Sequence, residues 1–132
     1  EGIRGLLTSD ETFQQVRELA EVLGKRFVVA KNVPGFAANG MLMPFINEAF
    51  FKLQGGVSSA NDIDLIATEV FGHPMGPLKL ADFIGLDTCL ASIEAMHAGF
   101  GDKYRPCPLL REYVEAGRFG KKSGKGVYDY LG

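Results

Sequence analysis

A chain of 132 residues, 46% of them hydrophobic, is of single-domain size and can bury one core. Its 14 Lys and Arg stand against 16 Asp and Glu, a net charge of −2, so no basic field marks a nucleic-acid or anionic-membrane surface. Cys89 and Cys107 are too few and too widely spaced for a zinc site or a disulfide framework, and the longest apolar runs fall short of the ~20 residues that span a bilayer. Thr8-Ser9-Asp10-Glu11 has the form of a capping box, in which the Thr8 hydroxyl and the Glu11 carboxylate take up free N–H groups, and predicts a helix start. Phe13, Val16, Leu19, Ala20 and Leu23 follow at helical spacing, and Gly24 supplies a left-handed stop. Phe27–Ala30 is a short β-branched run bounded by charge and by the Asn32–Gly35 turn, the pattern of a brief strand. A single strand is not stable alone, so this one is either the edge of a sheet lying outside the chain or extended linker.

From Phe36 to Leu53 the apolar positions fall on nearly every side, which predicts a helix buried on more than one face and bent at Pro44, where a backbone donor is missing. Gly55-Gly56 end it. Ser58-Ser59 followed by Asp62 cap the next helix, whose inner stripe is Ile63, Ile66, Ala67 and Val70. Gly72–Pro77 reads as a hinge into a short helix through Leu80, Phe83 and Ile84. Further helices are expected over about Asp87–Met96 and Pro108–Ala116, before the glycine-rich tail GRFGKKSGKGVYDY. Phe36, Phe45, Phe50, Phe51, Phe71 and Phe83 read as aromatic core or as a self-association face. Without an internal repeat, the pattern is a mostly α domain of about five or six helices with one strand near its front.

Within VPGFAANGMLMPFINEAFF, Asn39 is a weak helix former where alanine or leucine would serve better. Residue type alone leaves two roles open: bonding to the local backbone near a helix start, or presenting a neutral amide that donates and accepts without titrating. No G-x-G-x-x-G turn joins a strand to a helix, and GKKSGKG follows a helix rather than opening one, so neither a dinucleotide nor a Walker loop is present. The chain begins at Glu1, and its first residues read as the middle of a longer polypeptide, in which case compartment is not legible from a leader. Reduced thiols fit a bacterial cytoplasm, a mitochondrial matrix or a peroxisome, not a secreted protein.

Three runs, VPGFAANGMLMPFINEAFF, GHPMGPLKLADFIGLDT and GRFGKKSGKGVYDY, lie in this order over essentially the whole chain. Together they resemble the successive hallmarks of the C-terminal region of NAD-dependent 3-hydroxyacyl-CoA dehydrogenases. The resemblance implies an all-α domain of the 6-phosphogluconate-dehydrogenase-like type over residues 31–132, covering substrate and forming a homodimer. Residues 1–30 would then be the last helix and strand of a preceding Rossmann domain. The implied reaction is oxidation of an (S)-3-hydroxyacyl-CoA to the 3-ketoacyl-CoA, with NAD as hydride acceptor. A histidine removes the hydroxyl proton and a glutamate orients it. Glu1 matches that glutamate, and the histidine lies upstream. Asn39 matches the asparagine that holds substrate, Met75 and Pro77 lie in the motif walling the acyl pocket, and Lys122 matches a lysine that reaches toward the dinucleotide. His73 and His97 match no proton-transfer position. The chain departs from the pattern at Gly40, where arginine is usual, and at Gly2, where an apolar residue is common.

The chain alone is expected to be inactive. A different class of function is also open: a non-catalytic helical dimerisation module, with exposed apolar surface along the Pro44 helix and Gly85–Met96. A lens-type structural relative that keeps cofactor binding with little activity is a third.

Overall fold

The N-terminal capping signal does start a helix, one residue later than its sequence form predicts. In the computed structural model, which describes residues 1–132, Ser9 caps the first helix and its hydroxyl accepts the Thr12 N–H. Thr8 instead accepts the Gly5 N–H, and no capping-box bond from Glu11 forms. With adjacent hydroxyls, the preceding turn decides which one caps. This helix, α1 (Asp10–Val22), closes as predicted at Gly24, whose φ of +66° lets Lys25 N–H reach Ala20 C=O at 2.8 Å.

Two strands flank α1, where the sequence predicted one. β1 (Gly2–Ile3) pairs in parallel with β2 (Val29–Ala30), Gly2 opposite Val29, and α1 supplies the crossover that parallel strands require. Strand β2 is shorter than the predicted Phe27–Ala30, and the Phe27 ring packs onto Gly2. A Cβ at Gly2 would collide with that ring, which accounts for glycine where an apolar side chain was expected. No residue of α1 is buried, and Val16, Leu19 and Leu23 lie exposed along its predicted inner stripe.

The remaining elements are α2 (Ala38–Gln54), α3 (Ala60–Glu69), α4 (Pro77–Ile84), α5 (Leu86–Phe100) and α6 (Pro108–Glu115), with 3-10 turns at Asp102–Tyr104 and Lys121–Ser123. Helix α2 is central, as its all-round apolarity predicted, and packs against α3, α4, α5 and α6. It runs through Pro44, whose missing N–H leaves the Gly40 carbonyl without its helical donor. Ile46 and Phe50 of α2, Leu78 of α4, Leu86 and Met96 of α5 and Leu110 of α6 are fully buried in one core. Each such side chain contributes roughly 1.5–3 kcal/mol by leaving water.

Of the six phenylalanines assigned to the core or an association face, Phe50 is buried and Phe51 packs partly buried against the core, while Phe36, Phe71 and Phe83 are exposed. Two packing expectations are corrected. On α3, Ile66 and Val70 are exposed, while Ala67 and the unforeseen Asp64 are buried. The apolar residues of Gly85–Met96 do not form a surface, since Leu86, Cys89, Leu90, Ile93 and Met96 all point into the core. Exposed apolar side chains gather instead at Val57, Ile66, Val70 and Phe71, by the α2–α3 turn and the end of α3.

Both cysteines are free and buried. Burial, aided by the charges of Asp87 and Asp82, pushes the Cys89 thiol up to about 12, and burial likewise raises Cys107. Neither is therefore expected to react with a maleimide in the native protein at neutral pH, while both react after denaturation. Native labelling at either position would contradict this packing. No helix is long and apolar enough to cross a membrane, and no cluster of His, Cys, Asp and Glu is arranged to hold a metal ion.

Candidate functional site

The sequence brings Pro34-Gly35-Phe36 into a tight turn ahead of α2. Gly35 has φ +79° and packs so closely on the Met96 side chain that a Cβ would strike its sulfur, while Pro34 rests on Gly99. Helix α2 then begins at Ala38 with Ala37 as its cap residue, and Ala37 has no side chain to offer the first N–H groups. Glu1 supplies the acceptor from 36 residues away. Its Oε1 takes the Ala37 N–H at 3.0 Å and the Ala38 N–H at 3.0 Å. A carboxylate placed there is favoured by the partial positive charge of the helix start. Both bonds fall on Oε1 and none on Oε2.

Asn39 follows on the first turn of the same helix. It is exposed, and no hydrogen bond within the chain engages its amide, so it neither caps α2 nor bonds the local backbone. Gly40 beside it donates its backbone N–H to Gly35 C=O at 2.7 Å, which closes the turn.

The other predicted site residues lie apart. Pro77 is buried and lines an apolar cavity of about 350 Å³ between α2 and α3, with Phe45, Ile63, Ile66 and Phe71. Met75 is half-buried and lines a different cavity of about 290 Å³, beside Asp64 and Lys79. Lys122 is held by Asp87 at the start of α5, its Nζ 2.6 and 2.8 Å from the two carboxylate oxygens. The hydrogen bond from Lys122 keeps the Asp87 carboxyl below its ordinary range. With side chains 49% and 39% exposed, the pair contributes at most about 1 kcal/mol. His73 packs edge-on against Phe45 and Phe71, and His97 pairs with Asp102 at the end of α5.

Glu1 takes the leading N–H groups of α2 and Asp87 takes Lys122, so neither of these two groups is free to hold a dinucleotide phosphate as it stands.

Two polar residues invisible to the sequence pattern fix the scaffold around these groups. Asp64 of α3 reaches across to cap α4, accepting Leu78 N–H at 2.8 Å and Lys79 N–H at 2.9 Å, and also receives the Tyr128 hydroxyl at 2.6 Å. Gly76 is required there because a Cβ would overlap the Asp64 side chain. Asp82 of α4 is fully buried and accepts Val127 N–H, Tyr128 N–H and the Tyr130 hydroxyl, tying the C-terminal tail to the bundle. Burial, the Asp82 charge and its hydrogen bond push the Tyr130 phenol up to about 12; burial and the Asp64 bond raise Tyr128 as well. The available signal was a lone carboxylate in the apolar run LKLADFIGL, paired with the tyrosines of VYDY.

A family model described as "3-hydroxyacyl-CoA dehydrogenase, C-terminal domain" matches residues 35–130. A probable 3-hydroxybutyryl-CoA dehydrogenase of Bacillus subtilis is 56% identical over 131 residues, covering 98% of this chain and 46% of that protein. The 3-hydroxybutyryl-CoA dehydrogenase of Bradyrhizobium diazoefficiens is 50% identical over 131 residues, covering 98% of this chain and 45% of that protein. Among solved structures, the (S)-3-hydroxybutyryl-CoA dehydrogenase of Ralstonia eutropha superposes with a TM-score of 0.93 at 51% identity, over 97% of this chain and 46% of that one. The chain spans about half the length of the curated relatives it matches.

Proposed function

The chain belongs to the family of the 3-hydroxyacyl-CoA dehydrogenase C-terminal domain, and from that premise we propose that it is the substrate-covering part of an enzyme oxidising (S)-3-hydroxyacyl-CoA to 3-ketoacyl-CoA. The observation that carries this reading is the junction of Glu1 with the start of α2. One carboxylate oxygen is fixed on Ala37 and Ala38, and the next residue, Asn39, presents an unengaged amide to solvent.

In this reading Glu1 Oε2 orients a histidine supplied from upstream, which takes the proton of the 3-hydroxyl. The Asn39 amide donates to the same substrate oxygen and keeps its neutral state while the base changes charge. Pro77 walls the acyl chain in its apolar cavity, and Met75, which faces another cavity, joins that wall only on turning toward it. NAD is the cofactor of the whole protein and is held mainly by residues outside this chain, with Lys122 contributing only by leaving Asp87. Residues 1–30, with α1 between β1 and β2, are the end of the preceding Rossmann domain, in keeping with the exposed apolar stripe of α1. The helical domain, residues 31–132, forms a homodimer, the exposed Val70, which lies outside the lining of the Pro77 cavity, being one apolar contribution. A bacterial cytoplasm, a mitochondrial matrix or a peroxisome would suit such an enzyme.

The test is turnover. The full-length protein, given NAD⁺ and (S)-3-hydroxybutyryl-CoA, is expected to form NADH, and residues 1–132 alone are expected to form none. Exposed apolar side chains such as Val70 equally favour the second reading, a dimerisation module without catalysis. Full-length protein that pairs but forms no NADH would establish that reading in place of the first.

A further inference from the structure

Phe36 is the one non-glycine residue of the chain with a positive φ, +45°, and it directly follows Gly35 at +79°. Two successive left-handed residues are unusual, and a bulky side chain in that region is disfavoured by contact of its Cβ with the backbone. Such conformations persist where the surroundings over-determine them, and they concentrate at functional sites. The ring does not supply the compensation, since Phe36 is 42% exposed and joins no aromatic pair. What the conformation achieves is on the backbone: the two N–H groups immediately after Phe36, those of Ala37 and Ala38, converge on one oxygen of Glu1.

We propose that Phe36 is a positioning residue whose left-handed backbone aims the Ala37 and Ala38 N–H groups at Glu1 Oε1, leaving Oε2 as the oxygen that faces the proton-transfer partner. The geometric half stands on the hydrogen bonds; the consequence for turnover rests on the dehydrogenase reading. Residues that tolerate positive φ should replace Phe36, and a β-branched residue should not, whatever its hydrophobicity.

The experiment compares Phe36→Gly, Phe36→Asn and Phe36→Val in the full-length protein, reading hydrogen exchange at the Ala37 and Ala38 amides together with kcat and KM. Glycine and asparagine are expected to keep amide protection and kcat within about twofold, because both enter the left-handed region readily. Valine is expected to lower both severalfold with KM within about twofold, because its β-branch adds crowding to the left-handed penalty that the Phe36 Cβ already carries. Loss of protection in the glycine and asparagine variants would place the role in the phenyl ring and overturn the proposal, as would full protection with valine. Glu1→Gln separates the two layers. Unchanged kcat in that variant would sink the dehydrogenase role of Glu1, while the exchange pattern across the Phe36 variants would still decide whether the backbone does the aiming.

Discussion

Asp82→Ala is expected to destabilise the folded protein by about 3 kcal/mol, with a fall in Tm on the order of 10 °C. The carboxylate is fully buried and satisfies two backbone N–H groups and one phenol, so alanine leaves three donors without an acceptor in a site too tight for easy solvation. Its neighbours confirm the tightness, since a Cβ at Gly126 would collide with the Asp82 carboxylate and one at Gly120 with the Asp82 backbone. Asp82→Asn keeps the volume but turns an NH₂ toward groups that are themselves donors, so it too is expected to destabilise, by less. Release of the tail should unfold the backbone around Lys121, Lys122 and Lys125, whose side chains are already exposed, and trypsin should cut there well below the melting temperature. Denaturant unfolding gives the magnitude, and limited proteolysis shows whether the tail is what comes free. An alanine variant that melts like the parent would mean the tail is held by something other than this carboxylate.

Asn39→Ala should have the largest effect on chemistry and almost none on folding. Because the amide is exposed and bonds nothing within the chain, its removal is expected to change stability by less than about 0.5 kcal/mol. If the amide holds the reacting oxygen, its loss should lower kcat by a factor of about 10²–10³ in the full-length enzyme, the usual loss of one donor to developing charge. Steady-state rates with (S)-3-hydroxybutyryl-CoA, beside a melting curve of the same preparation, check both halves. Unaltered kcat would remove Asn39 from the site.

The two residues behind these predictions differ in how far the sequence reveals them. Asn39 stood out because a weak helix former near the start of an apolar helix asks for a reason, and the surrounding PGF…N pattern offers one. Asp82 did not, because periodicity assigns a lone carboxylate to the solvent side, and the donors that make its burial tolerable lie 45 and 46 residues further on. Asp64 escaped for the same reason, its backbone partners being 14 and 15 residues away. The helices themselves were legible where a start signal and a stop agreed, as for α1, with its hydroxyl start and Gly24 stop, and α6, between Pro108 and Gly117. Strand β1 was not, since two residues cannot display an alternation, and its existence depends on pairing with β2 across the whole of α1. The exposed stripe of α1 shows the converse: a correct helical period marks an apolar face without saying what covers it.

The most direct measurement is a crystal structure of the full-length protein with an (S)-3-hydroxyacyl-CoA bound. The account predicts Asn39 Nδ2 at about 2.8–3.2 Å from the 3-oxygen of the substrate, with Glu1 Oε2 on the ring nitrogen of a histidine and Oε1 still on Ala37 and Ala38. A thioester bound elsewhere, with Asn39 left facing water, would contradict it.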